Sequence, residues 1–268
     1  PPGIFFEWQP TALYNAMLAP CFKTAIAGAL WYQGESDAGH PVEYRNMLIK
    51  MINLWRRKFV YGSKNLPFVV MQLPNWSDGH YESNIQNDMG WAWLRQAQAD
   101  AAHAAGNAGV AVTIDAGEWN DLHPEKKQTG GTRAALEALR IAYGKTFISP
   151  SPVMHKCILN KSKFVVNFDC GNSSLVAYEV EGNSANMDVE EKKDRIYGFS
   201  ILFMKKGQMK AMEVDAKLIS DNEVEISVPH AHGYPIELRY LWADSPAQVN
   251  LYSRDQLPVM PFVVKLEE

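Results

Sequence analysis

Apolar positions change period along the chain. In residues 25–33, 66–73 and 110–114 they run nearly unbroken for about the length of a strand. Between these runs the spacing shifts to steps of three and four. Tyr44, Met47, Leu48, Met51, Ile52 and Trp55 fall on one side of a helix opened by Pro41. Residues 88–105, rich in Ala and Gln, predict a second long helix. Residues 124–144 predict a third, with Pro124 in its first turn and Ala134, Leu136, Leu139 and Ile141 on its apolar side. Thr11 is placed to cap a short helix reaching Leu18. Apolar strands alternating with amphipathic helices predict an α/β unit whose parallel sheet is covered on both faces.

Past Ser149-Pro150-Ser151-Pro152, which reads as a linker, the helical period disappears. Short β-type runs at 164–168, 175–180, 198–204, 223–228 and 236–242 are separated by Gly, Asn, Asp and Pro. That pattern predicts an antiparallel β-sandwich or jelly roll. The expected organisation is an α/β domain over 1–149 followed by a β-rich accessory domain over 150–268. The charged residues 190–195 read as a solvated loop.

Composition narrows the function classes. The 268 residues are 47% hydrophobic and 21% charged, a globular balance that excludes a disordered or collagen-like chain. The net charge of −4 argues against a nucleic-acid partner. No apolar run approaches the ~18 residues of a membrane span, so no membrane partner is expected. Pro1-Pro2-Gly3 carries neither a basic n-region nor an apolar h-region, and no targeting signal is visible. Cys21, Cys157 and Cys170 are an odd set; Cys157 and Cys170 either pair in an oxidising compartment or stay as buried free thiols.

Ligands of open α/β sheets bind beyond the carboxyl ends of the strands, so candidate chemistry belongs there. The first strand runs into Gln33-Gly34-Glu35-Ser36-Asp37. Gly34 lets the backbone approach a ligand, Gln33 can donate through its amide, and Glu35 can carry charge; a polar turn capping the next helix explains the same residues. The third strand leads to Asp121-Leu122-His123-Pro124. A His before a helix, with a carboxylate two residues earlier, can act as general base with its tautomer fixed by the acid. Helix capping by Asp121 is the competing explanation. His230 and His232 would share a strand face suited to a metal, but Pro229 and Gly233 suggest a turn and no Cys or carboxylate cluster accompanies them. His40, His80, His103 and His155 read as surface residues. Trp76, Trp91 and Trp93 suit a sugar-binding rim; Trp91 and Trp93 equally suit helix positions packed in the core, and Trp93 reads as core.

These blocks resemble the sialate O-acetylesterase family, part of the SGNH-hydrolase superfamily and related to acetylxylan esterases. The resemblance rests on Leu13-Tyr14-Asn15-Ala16-Met17, on Gly28-Ala29-Leu30-Trp31-Tyr32-Gln33-Gly34-Glu35-Ser36-Asp37, and on Asn120-Asp121-Leu122-His123-Pro124. Leu54-Trp55-Arg56, Gln72-Leu73-Pro74, Leu94-Arg95-Gln96-Ala97-Gln98, Arg239-Tyr240-Leu241-Trp242 and Asn250-Leu251-Tyr252 extend it along nearly the whole chain. It implies an SGNH-hydrolase-like, flavodoxin-like three-layer fold and a serine esterase that removes acetyl groups from an acetylated sugar or glycan, without cofactor or metal. His123 matches the family's general base. Asp121 or Glu35 matches its acidic partner, and Gln33 and the Gly34 backbone fall near the oxyanion.

The family's nucleophile lies in a Gly-Gln-Ser-Asn-type block, which this sequence lacks. Ser36, Ser77 and Ser83 do not match it, and no Gly-X-Ser-X-Gly elbow occurs. The expectation is therefore one part of a longer enzyme, with the N-terminal segment either outside the sequence or retained as a separate chain. An acetylxylan esterase and a non-catalytic carbohydrate-binding protein are the alternatives. Family habit implies an exported or lysosomal protein.

Overall fold

The computed structural model describes residues 9–62, 65–77, 90–118, 120–125, 127–181, 184–190, 195–229 and 233–266. Its first half is a three-stranded parallel sheet in the order β1 (Ala29–Trp31), β2 (Phe68–Met71), β3 (Ala108–Ala111). β1 and β2 are short cores of the apolar runs that predicted them, whereas β3 starts at Ala108, before its predicted run at 110–114, and ends inside it at Ala111. α1 (Pro41–Lys58) and α2 (Trp91–Ala105) cover one face, and α3 (Lys127–Ala142) packs on the other against β2 and β3.

α1 starts at Pro41 as predicted, and Arg56, Arg57 and Lys58 in its last turn complement the helix dipole. Its buried side is narrower than the sequence suggested. Tyr44, Leu48 and Ile52 are buried, whereas Met47 is 65% exposed. Arg56 donates to the carbonyls of Leu66, Ala105, Gly106 and Asn107, which ties α1 to the amino ends of β2 and β3. The helix expected from residue 124 begins at Lys127 instead, leaving Pro124 buried in the preceding loop. Thr11, at φ 69°, directly precedes helical residues 12–18 and its carbonyl accepts the Asn15 N–H at 2.8 Å, while its hydroxyl accepts the Asn15 side-chain amide at 3.4 Å rather than a first-turn backbone N–H. The helical stretch is π over Tyr14–Leu18 and is followed by 3₁₀ residues Ala19–Lys23.

The second half is antiparallel. β4 (Val153–Asn160), β5 (Lys163–Asp169), β10 (Ala216–Ser220) and β11 (Glu223–Ser227) form a sheet in the order β10-β11-β5-β4. β8 (Phe199–Lys205), β9 (Gln208–Glu213), β12 (Tyr234–Tyr240) and β14 (Phe262–Lys265) form another, β14-β12-β8-β9. β6 (Leu175–Glu181), β7 (Ser184–Glu190) and β13 (Leu251–Ser253) make a third, β13-β6-β7. Phe164, Val166 and Phe168 point inward from β5 and meet Phe199, Tyr240 and Phe262 in one core. The period-two pattern of these residues builds that core directly.

Val112 and Ile114, just past β3, belong to the same core as the β-rich half. The Pro-rich joint is accordingly not an exposed tether. Ser149 and Ser151 are buried, the Ser149 hydroxyl accepts from the Asn172 backbone, and the Pro152 carbonyl accepts from Met260. Cys157 and Cys170 are free thiols. Trp91 is buried against Trp76, with ring centroids 5.0 Å apart, so it serves the core rather than a rim. Trp93 packs edge-on to Trp242. His40, His103 and His155 are exposed, as expected. His80, Ser83, His230, His232 and most of the charged stretch lie outside the described residues.

Candidate active site

Because β1, β2 and β3 are parallel, their carboxyl ends share one edge, with Trp31, Val70 and Val110 level across the sheet. Gln33-Gly34-Glu35 follows β1, Leu73-Pro74-Asn75 follows β2, and the segment bearing Asp121 and His123 follows β3. Buried side chains lace these ends together. Gln98 of α2 donates to the Gln33 carbonyl at 3.1 Å and accepts from the Leu73 backbone at 2.9 Å. The Thr113 hydroxyl donates to the Gln72 carbonyl. The Gly117 backbone donates to Asn75 Oδ1 at 2.8 Å.

The turn after β1 is held by its own polar groups. The Tyr44 hydroxyl donates to the Gln33 carbonyl at 2.7 Å and receives the Trp31 indole N–H at 3.1 Å. Burial pushes that phenol's pKa above its ordinary value. Gln33 Nε2 donates to Asp37 at 3.3 Å, and Glu35 Oε2 accepts the Gly34 N–H at 2.8 Å. The Gly34 donor is thus already engaged in this structure. Gly34 has φ +148° and sits so close to Leu94, Gln98 and Tyr44 that a Cβ would lie 3.1–3.3 Å from each. Glycine is required there for both conformation and space.

The turn after β3 is also locally closed. Asp121 Oδ1 accepts the backbone N–H of His123 at 2.8 Å, and Glu118 and Asp121 form an isolated β-bridge. His123 is exposed, and among the described residues its imidazole bonds neither Glu35 nor Asp121. Neighbours of the two turns do meet. Tyr32, next to Gln33, and Pro124, next to His123, line one cavity of about 20 Å³ with Thr113, Lys127 and Gly130. The Lys127 ammonium lies over the Tyr32 ring, 5.8 Å from its centroid. That cavity holds at most about one water and is no substrate pocket by itself.

Sequence reasoning missed the buried charges behind this edge. Asp115 is gripped by Arg133 and Tyr252, and Arg95 by four backbone carbonyls. The only early sign was an arginine among alanines in residues 91–105. Among the described residues no group of His, Cys, Asp and Glu is arranged to hold a metal.

Comparison with known proteins bears on this arrangement. The family described as carbohydrate esterase, sialic acid-specific acetylesterase matches residues 3–135, which include both turns. Human sialate O-acetylesterase is 28% identical over 275 residues, covering 94% of this chain and 48% of that protein. The mouse sialate O-acetylesterase is 26% identical over 276 residues, covering 96% and 47%. The crystal structure of a carbohydrate acetylesterase from Xanthomonas citri superposes with a TM-score of 0.79 at 31% identity, covering 96% of this chain and 55% of that one. The class these likenesses define is that of the carbohydrate esterases. Within it, the chain belongs to the sialate O-acetylesterase family. It spans about half the length of the curated relatives it matches.

Proposed function

We propose that this chain carries the general base of a serine carbohydrate O-acetylesterase whose nucleophile lies outside the 268 residues. The observation that carries the reading is the shared strand edge: the Gln33-Gly34-Glu35 and Asp121-His123 turns follow parallel strands, and their neighbours Tyr32 and Pro124 line one cavity. The absence of a Gly-Gln-Ser-Asn block supports a serine from elsewhere. So does β1, which pairs only with β2 among the described residues and leaves Leu30 59% exposed. An SGNH-like unit over 1–149 and a β-rich accessory unit over 150–268 complete the proposal, in an exported or lysosomal protein. Among the described residues no helix is long and apolar enough to cross a membrane.

In this mechanism the serine oxygen attacks the acetyl carbonyl carbon and His123 takes the serine proton. Asp121 or Glu35 steadies the imidazolium. The Gln33 amide stabilises the tetrahedral oxyanion, a contribution of a few kcal/mol for donors of this kind. The imidazolium returns its proton to the departing sugar oxygen. Water, deprotonated by His123, then cleaves the acetyl-enzyme to acetate.

The test is His123→Ala in the complete protein, assayed with p-nitrophenyl acetate. Loss of turnover in a folded variant is expected, and near-normal turnover refutes the assignment. Glu35→Gln and Asp121→Asn, compared for kcat, identify the acidic partner. Parallel release of acetate from acetylated sialic acid and acetylated xylan separates the two sugar classes. Mass measurement with N-terminal sequencing tests for a companion chain.

A further inference from the structure

A wide cleft lies in the β-rich half and shares no residue with the strand-end network. It encloses about 1000 Å³ where the segment before β8, the β9–β10 connection, the end of β11 and the loop after β12 come together. That volume is at the upper end of the ~300–1,000 Å³ typical of ligand sites.

Its walls are held in place before any ligand arrives. Asn250, fully buried, accepts the Tyr197 N–H at 3.0 Å and donates to the Arg195 carbonyl at 2.7 Å. Leu241 donates its N–H to the Gly198 carbonyl at 2.8 Å. Gly198, at φ +87°, lies so close to Leu241 that a Cβ would meet its Cδ2 at 2.4 Å. The far wall is anchored through Arg95, which binds the carbonyls of Ala243 and Asp244 in the loop after β12.

The lining has the chemistry of a surface for pyranose rings. Tyr197 supplies aromatic surface, with the Arg195 guanidinium 5.9 Å from its ring centroid. Trp242, only 8% exposed and with its indole nitrogen out of reach of solvent, belongs to the interior of the wall rather than to its face. Glu213 and Asp215 are exposed acceptors with no ion-pair partner among the described residues, and Arg195 and Gln248 are donors. The wall mixes apolar residues, Phe199, Val214 and Leu241 among them, with exposed charges, which does not suit a purely apolar lipid chain. Two carboxylates against one guanidinium disfavour an anion, and no metal-holding cluster occurs among the described residues. Sugar hydroxyls both donate and accept, and their C–H faces stack on aromatic rings, so they suit the exposed acceptors, the donors and the Tyr197 ring together.

We propose that this cleft binds a neutral stretch of a saccharide chain, at a site separate from the esterase centre. The full-length protein would be titrated by calorimetry with xylohexaose, cellohexaose, mannohexaose and galactohexaose, and with hexagalacturonate as the acidic control. At least one neutral hexasaccharide binds. Tyr197→Ala, and Glu213→Gln combined with Asp215→Asn, each weaken it about tenfold or more while p-nitrophenyl acetate hydrolysis is unchanged. His123→Ala leaves the binding intact, so failure of the esterase reading does not disturb this one. No binding by any neutral hexasaccharide, binding by hexagalacturonate alone, or binding untouched by the cleft substitutions overturns the proposal. If Tyr197→Ala loses its fold by circular dichroism, the double carboxylate variant, altered only on the surface, decides.

Discussion

The hydroxyl of Tyr252, on β13, donates to Asp115 Oδ2 at 2.9 Å across 137 residues of sequence. Asp115 opens the segment that leads from β3 to Asp121 and His123. Arg133 of α3 grips the same carboxylate with both terminal nitrogens and also binds the Val112 carbonyl at 3.0 Å. Burial alone would pull the Arg133 guanidinium's pKa down. The hydrogen bond and charge of Asp115 outweigh that and leave it above its ordinary value. Burial, with Asp115 beside it, pushes the Tyr252 phenol far above its usual range, so it remains a donor at any working pH. The base of the His123 segment is therefore fixed from both halves of the molecule.

Tyr252→Phe removes that one donor and keeps the ring. The expected loss is about 1–2 kcal/mol of stability, read from thermal or urea unfolding. Asp115→Asn takes the charge away from a buried guanidinium and costs more, about 3–5 kcal/mol. On the proposed role of His123 as general base, Tyr252→Phe in the complete protein, below the melting range, should lower kcat more than it raises KM, because the anchor holds the base of the segment that carries His123. Unchanged kcat in a variant with the expected stability loss shows that the anchor is purely structural.

Arg95 makes a second cross-molecular tie. Fully buried in α2, it donates to the carbonyls of Leu73, Pro74, Ala243 and Asp244 at 2.6–2.8 Å. Asp244 in turn accepts the Trp91 N–H at 2.8 Å and caps α2 from 153 residues away. Burial lowers the Arg95 pKa to about 9, with Asp244 opposing the shift. Arg95→Met orphans four buried acceptors and should cost more than about 3 kcal/mol. Arg95→Lys should not rescue it, since one ammonium lacks the planar fork that reaches both loops. A melting temperature within a few degrees of wild type for Arg95→Lys contradicts this account.

These ties explain which parts of the architecture were readable in the sequence. β1, β2, β3 and the three long helices follow from local periodicity, as do the inward residues of β5 and β8. β4 and β9 escaped because most of their side chains are exposed, and an exposed strand leaves no alternation to read. Met47 was misplaced because a step of three from Tyr44 fits an apolar stripe wider than α2 covers. The two candidate turns were legible because parallel strands send their carboxyl ends to one edge. Asp115, Arg133 and Tyr252 were not, because their relation exists only once three distant segments have packed.

Gly34→Ala tests the turn after β1 directly. The added methyl meets Leu94, Gln98 and Tyr44 at 3.1–3.3 Å on a backbone with φ +148°. Strain and crowding together should cost about 1–3 kcal/mol. Gln98 also holds Leu73 and Gln33, so the displacement should reach both strand ends, with esterase activity of the complete protein falling alongside stability. A fully stable Gly34→Ala variant would show that this turn is more yielding than its contacts imply.

The cysteines offer a test by pH. Burial pushes the thiols of Cys157 and Cys170 up to about 11, with Asp169 adding to the shift at Cys170, whereas Cys21 is exposed. A thiol at about 11 is ionised to only about one part in a thousand at pH 8, against roughly a quarter for an ordinary thiol near 8.5. Iodoacetamide at pH 8 should therefore label Cys21 rapidly and the other two only on unfolding, as peptide mass mapping would resolve. The same shift sets a direction for stability. Between about pH 8.5 and 11 the unfolded chain has released these protons while the folded chain retains them, so folding binds protons and stability falls as pH rises. Their contribution is complete below the ordinary thiol value and lost as pH passes through about 11. Replacing both residues with Ala should flatten the alkaline limb of the stability curve, and an unchanged slope would mean that neither thiol is shielded as the structure describes.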